Sequence, residues 1–312
     1  MSLLYSTTSR LKCCRTALNL QIASKNYSAR HIRTLPVELS SEKHTPTESS
    51  SETPLVIIHG LFGSKQNWRT LGHSFTKKLN REVHCLDMRN HGDSPHSPDC
   101  SYQAMAMDVA EYLQDEHLDS VILLGHSMGG KVAMTLALSN EDLVEKLISV
   151  DIGPNVGRIG EESYKYIKAM QDIDETGPKR KADADLLLQK YEDNAAIRQF
   201  LLTNYVYRTK LPHTNPNAHR EETYAFRISL KYLAKEIGNL GDFPFSQDAT
   251  VTYNKPTLFI RGGLSKYMNP QVVKKAKDFF PNMKLETIED AGHWVHAEKP
   301  KEFTKILSEF LD

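Results

Sequence analysis

The chain has 312 residues, 39 Lys and Arg against 39 Asp and Glu, and a hydrophobic share of 39%. Zero net charge excludes the general basic pull of a nucleic-acid binder, and no apolar run approaches the roughly 20 residues that a membrane-spanning helix needs. Cys13, Cys14, Cys85 and Cys100 form neither a disulfide framework nor a Cys/His zinc pattern, so stability has to come from a packed core in a reducing compartment.

Residues 1–37 carry Arg10, Lys12, Arg15, Lys25, Arg30 and Arg33 and no acidic residue. Ser and Thr are frequent among them. This composition predicts a mitochondrial transit peptide, and with it a mitochondrial location. Residues 38–53, with SSEKHTPTESSSET at their heart, read as a flexible lead-in. The folded domain then occupies 54–312.

From Pro54 short β-branched runs alternate with amphipathic ones. Strands are predicted at 55–58, 83–87, 121–124, 147–150, 257–261 and 284–288, and helices at 67–79, 101–117, 129–139, 270–280 and 299–311. Such alternation predicts an α/β fold, a mainly parallel sheet flanked by helices. One gap breaks it. Between about 155 and 250 no strand is evident and the segments read as helices, a cap inserted over one edge of the sheet. Its aromatic residues (Tyr164, Tyr166, Phe200, Tyr205, Tyr207, Tyr224, Phe226) fit helical core positions. Ligand sites in open α/β sheets lie beyond the carboxyl ends of the strands, so the strand ends carry the search for chemistry.

After the strand at 121–124 comes Gly125-His126-Ser127-Met128-Gly129, a G-x-S-x-G turn between strand and helix. A turn this tight brings two backbones together, and a Cβ two residues from the serine would clash. Ser127 is therefore the candidate nucleophile. Met128 opens the helix, so its N–H faces the same space with the helix dipole behind it. After 55–58 comes His59-Gly60-Leu61-Phe62-Gly63. In sheets of this kind the N–H just after such an HG pair supplies the second half of an oxyanion hole. Leu61 takes that assignment, with Phe62 as the alternative, and His59 orients the loop. After 284–288 comes Asp290-Ala291-Gly292-His293-Trp294, and His293 is the candidate general base. His296 is the rival but falls toward the final helix. His91 and His126 read as structural.

A serine–histidine pair needs a carboxylate to hold the imidazole. In most hydrolytic sites on such a sheet the acid follows the strand placed here at 257–261. That strand is followed by Gly262-Gly263-Leu264-Ser265-Lys266, without an acid. The preceding strand, LISVD, ends in Asp151, on the same rim and nearer the serine. Asp151 is the candidate acid, and Ser265 would add a hydrogen bond to it or to His293. Asp87, after VHCL, reads as a loop cap.

With these residues in place, the stretches HGLFGSKQNW (59–68), DMRNHGDSPHSP (87–98), LLGHSMGGKVAM (123–134), ISVDIGP (148–154) and AGHWVHAEKP (291–300) together resemble the α/β-hydrolase superfamily. Within it they resemble the mitochondrial α/β-hydrolase domain-containing protein 11 branch, which is related to fungal ethanol acetyltransferases and bacterial short-chain esterases. The resemblance implies a Ser127–Asp151–His293 triad and places Ser265 where other branches carry the acid. It implies a serine hydrolase that cleaves short-chain esters or thioesters through an acyl-enzyme, with no metal or redox cofactor in the mechanism. The alternatives are acetyl transfer from acetyl-CoA to an alcohol by the same triad, and a ligand- or protein-binding module on a hydrolase fold.

Overall fold

The computed structural model describes residues 35–157, 159–210, 221–246 and 251–312. Their strands are β1 (Ser41–His44), β2 (Leu55–Ile58), β3 (Val83–Leu86), β4 (Val121–His126), β5 (Val144–Val150), β6 (Tyr205–Lys210), β7 (Glu221–Phe226), β8 (Thr257–Gly262) and β9 (Met283–Ile288). Seven of them form one sheet in the order β1-β3-β2-β4-β5-β8-β9. Every neighbouring pair is parallel except β1, which runs antiparallel to β3. The predicted parallel strands are all present, within three residues of the expected bounds.

The near-continuous apolar sequences of β2, β4, β5 and β8 follow from burial on both faces, whereas the edge strand β9 alternates. Leu55, Ile57, Ile122, Leu124, Ile148 and Ile260 pack with Phe75, Phe303 and Leu307, from helices α1 (Arg69–Leu79) and α10 (Pro300–Leu311). Their sequence neighbours Val56, Ile58, Leu123, Leu147 and Phe259 point the other way, toward α2 (Tyr102–Asp115), α3 (Met128–Ser139) and α8 (Pro270–Phe279). Helix starts show their local cause. Asn269 Oδ1 accepts from the N–H groups of Gln271 and Val272, with Pro270 at the first helical position, a combination that fixes the entry angle and satisfies orphan donors. Helix α3, which follows Ser127, is buried along its whole length, as an apolar-all-round sequence requires.

Two expectations are corrected. Residues 41–44 are not a free lead-in: they form β1, paired with β3 from Ser41↔Leu86 to His44↔Val83. An edge strand needs only one buried side, so a polar, charged sequence suffices, and burial of Leu39 anchors the segment ahead of it. The expected leader over 1–37 lies outside the described residues except for its last three.

The cap, too, is not all helix. It contains α4 (Glu161–Thr176), α5 (Lys181–Leu188), α6 (Ala195–Leu202), the β6–β7 hairpin, α7 (Leu230–Glu236) and a 3-10 turn over Ile237–Gly241. The hairpin pairs Tyr205 with Phe226 and Tyr207 with Tyr224. Tyr205 stacks on Tyr224, with ring centroids 5.4 Å apart, and lies 5.0 Å from Phe226. Aromatic cross-strand pairs of this kind stabilise a ribbon; they carried a period of two that the helical reading absorbed. Helix breaks between Leu188 and Ala195, and Asn194 restarts it by accepting the Ala196 N–H at 2.9 Å. The cap has its own core, including Ile167, Met170, Leu188, Leu201, Tyr205 and Phe226. No helix among the described residues is long and apolar enough to cross a membrane.

Candidate active site

The backbone at Ser127 has φ 53° and ψ −118°, a conformation that persists only when its surroundings over-determine it. They do. Ser127 N–H donates to the Val150 carbonyl at 3.0 Å, and the Lys131 N–H donates to the Ser127 carbonyl at 3.1 Å. A Cβ at Gly125 would lie 2.1 Å from the Gly129 carbonyl oxygen, and one at Gly129 2.4 Å from that of Ile58. The two glycines are there because strand β4, helix α3 and strand β2 touch backbone to backbone.

Three strand ends bring the three expected side chains together. His293 Nε2 lies 3.0 Å from Ser127 Oγ, and His293 Nδ1 lies 2.7 Å from Asp151 Oδ2. The roles follow from the partners: Nδ1–H donates to the carboxylate, which leaves Nε2 to accept the serine hydroxyl proton. Asp151 is fully buried. Its Oδ1 accepts the Gly262 N–H at 3.0 Å, and Oδ2 also accepts the Ser265 hydroxyl. Ser265 thus bonds the acid and not the imidazole. The Tyr267 ring lies over His293, with centroids 4.2 Å apart.

The loop carrying His293 is held from three sides. The Glu298 carboxylate accepts the Gly292 N–H at 2.7 Å and the Trp294 N–H at 3.1 Å. His126 Nε2–H donates to the His293 carbonyl at 2.9 Å. Nothing in the sequence pattern singled out Glu298; a carboxylate five residues beyond the histidine reveals its role only once the chain turns back on itself.

The other histidines weighed in the sequence, His59, His91, His126 and His296, are buried braces. His59 Nδ1–H donates to the Gly60 carbonyl, and its Nε2 accepts the Met88 N–H at 3.0 Å. His91 Nδ1–H donates to the Arg89 carbonyl, and its Nε2 accepts the Phe62 N–H at 3.2 Å. His296 stacks on Trp68 at 4.1 Å. Burial pulls His59 below its ordinary value, His126 well below it, and His91 and His296 down to about 3. All four are therefore neutral at pH 7. Asp87 caps its loop as expected, accepting the N–H groups of Lys65 at 2.7 Å and Asp93 at 2.8 Å.

The Phe62 N–H, the alternative donor of that loop, is occupied by His91. Met128, the first residue of α3, has no acceptor within its own helix. Leu61, Ser127, Met128 and His293 all line one cavity of about 610 Å³ between sheet and cap. Its other walls include Trp68, Tyr102, Ile159, Tyr166, Phe200, Leu240 and Trp294. Lys131, one turn into α3, also lines it. Burial draws its amine down to about 8, yet all three of its protons are used: Nζ donates to the carbonyls of Asn155, Gly241 and Asp242 at 3.0, 2.7 and 3.0 Å. It thereby ties both ends of the cap to the helix behind the serine. The sequence pattern did not disclose this role, because it depends on two loops more than eighty residues apart.

A strained serine hydroxyl and an imidazole aligned by a buried carboxylate, beside a cavity lined by Leu61 and Met128, can attack a carbonyl. Comparisons with known proteins agree in kind. A family model described as alpha/beta hydrolase fold matches residues 53–300. The sn-1-specific diacylglycerol lipase ABHD11 of Mus musculus is 40% identical over 261 residues, covering 82% of this chain and 80% of that protein. A probable alcohol acetyltransferase of Saccharomyces cerevisiae is 36% identical over 278 residues, covering 86% of this chain and 80% of that protein. Among solved structures, a marine microorganism esterase superposes with a TM-score of 0.77 at 35% identity, covering 88% of this chain and 99% of its own.

Proposed function

This chain belongs to the α/β-hydrolase fold family as an enzyme of ester chemistry, and on that premise we propose that Ser127 is its nucleophile, His293 its general base and Asp151 the acid that holds the base. Ser127 Oγ attacks the carbonyl of a carboxylic ester as His293 Nε2 takes its proton. The oxyanion forms against the N–H groups of Leu61 and Met128. His293 then gives the proton to the leaving alkoxide, which departs as an alcohol and leaves the acyl group on Ser127. Water attacks next with His293 again as base, and the acid product and free serine result. Throughout, Asp151 keeps the imidazole in the Nδ1–H tautomer and stabilises the imidazolium.

The observation that carries this reading is the unbroken line from Oγ to Nε2 at 3.0 Å and from Nδ1 to Oδ2 at 2.7 Å. The substrates that suit the apolar cavity are short-chain esters, and thioesters share the same acyl chemistry. The test is Ser127→Ala on acyl nitrophenyl esters. Turnover should fall by about 10⁴–10⁶; a variant that keeps a tenth of the activity rejects the assignment.

A second reading, acetyl transfer from acetyl-CoA to ethanol, draws support from the similarity to the yeast protein named a probable alcohol acetyltransferase. The acyl-enzyme is common to both, and only the acceptor differs. Product analysis with acetyl-CoA and ethanol separates them: ethyl acetate supports transfer, acetate alone supports hydrolysis. For residues 1–37 the proposal is a mitochondrial address, supported by six basic residues and no acidic one. A fluorescent protein fused behind them that stayed out of mitochondria would refute it.

A further inference from the structure

The cap grips the loop that carries Leu61. Phe62, the next residue, sits at φ 62°, in the left-handed region that a bulky residue adopts only under constraint. Two hydrogen bonds constrain it. His91 Nε2 accepts its N–H at 3.2 Å. Asn204, buried in the cap just before β6, donates from Nδ2 to its carbonyl at 2.6 Å. Asn204 Oδ1 is buried without a partner, so the amide stands in an unfavourable place for the sake of that one donor. The partner strand adds a second grip. Arg227, whose N–H donates to the Asn204 carbonyl at 2.9 Å, reaches Ser64 Oγ at 2.9 Å and Gln66 Oε1 at 3.3 Å with Nη2. The foot of the hairpin thus holds the 60–66 loop on both sides of Gly63.

We propose that Asn204 is a positioning residue for oxyanion binding: by fixing the Phe62 carbonyl it locks Phe62 in the left-handed state and keeps the Leu61 N–H turned toward the oxygen of the Ser127 adduct. It touches no substrate and acts through Leu61. The cap and the oxyanion loop then form one mechanical unit, so displacing the hairpin disarms the site without moving Ser127, His293 or Asp151. This inference rests on the reading of Leu61 and Met128 as oxyanion donors.

The test compares the full chain with Asn204→Leu, which removes the donor and keeps the volume. Four readouts are taken: kinetics on nitrophenyl butyrate, thermal melting, fluorophosphonate labelling of Ser127, and inhibition by phenylboronic acid, whose tetrahedral adduct on the serine requires the oxyanion donors. Loss of a whole donor lowers the rate about 10²–10³-fold, so a misaligned one should lower kcat roughly 10- to 100-fold. KM should stay within about threefold, because only the transition state uses the donor fully. Boronate affinity should fall by the same factor as kcat/KM. A kcat within twofold of wild type, or a raised KM with unchanged boronate affinity, overturns the proposal and leaves Asn204 a strut of the cap. Should the leucine variant not melt cooperatively, Asn204→Ala is judged by the same ratios. An unlabelled, inactive wild type defeats the serine reading and this inference with it, whereas a labelled, active wild type beside an unimpaired Asn204 variant defeats this inference alone.

Discussion

Ser127 and Asp151 share a backbone state that non-glycine residues rarely occupy, with φ of 53° and 52°. Both follow directly on parallel strands, and both turn a side chain onto the same rim. At each, N–H donates to the neighbouring strand, Ser127 to Val150 at 3.0 Å and Asp151 to Ile260 at 2.8 Å, so the sheet supplies the constraint that the strain needs. The Gly262 N–H, the Ser265 hydroxyl and the His293 Nδ1–H all converge on the Asp151 carboxylate in its fully buried place. Replacing Asp151 by Asn removes the charge that holds the tautomer and should lower kcat by about 10³–10⁴. Ser265→Ala removes one of several donors and should lower it only about 3- to 30-fold. Steady-state kinetics of the two variants side by side check this; a more damaging serine change would move the acid's role away from Asp151. Ser127 and Asp151 were legible in the sequence because each follows a run whose apolar character marks a buried strand, and His293 because it follows the last strand, whose alternating MKLETI marks a sheet edge. Asn204 and Glu298 were not. Their partners lie in loops whose approach is decided by tertiary packing, and no local pattern encodes it.

Among the elements, the central parallel strands were the easiest to read, since burial on both faces leaves continuous apolar runs. The cap hairpin was hidden by its neighbours: NYVY and TYAF alternate over too few residues to stand out between helices on either side. The short edge strand Ser41–His44 was hidden for the opposite reason, because its sequence is polar. The segment from β9 to α10 shows what an element-level contact contributes. Glu298, in the four-residue helix α9 (Val295–Glu298), satisfies the backbone donors on both sides of His293. Glu298→Ala frees that loop and should reduce stability by about 1–3 kcal/mol, with kcat about tenfold lower. Glu298→Gln keeps one acceptor and should fall between. Melting curves with kinetics decide it; an unaffected kcat in the alanine variant would mean that His126 alone suffices to hold the loop.

The molecule as a whole is built around neutral imidazoles. His59, His91, His126 and His296 are buried and held below their ordinary value of 6.5 in the fold. The unfolded chain binds a proton at each below that pH, while the folded chain does not. Stability is therefore full above about 6.5 and is lost as pH falls below it, for His91 and His296 down to about 3, by about 1.4 kcal/mol per pH unit for each histidine that remains neutral. His91 and His296, held down to about 3, together give a slope of roughly 3 kcal/mol per pH unit, and His59 and His126 act in the same direction. The melting temperature should drop steeply between pH 6 and 5, and a flat profile over that interval would contradict the burial assigned to these rings. The margin of the sheet carries a separate consequence. Val37 N–H donates to Asp108, Ser40 bridges Ser94 and Asp87, and Ser41–His44 sheathe strand Val83–Leu86. A protease that trims the N-terminal segment therefore has safe ground only up to about Leu35. Cutting nearer to Pro54 would bare a four-residue ladder of unpaired peptide groups flanked by oily side chains, a template on which two copies of the chain could zip together.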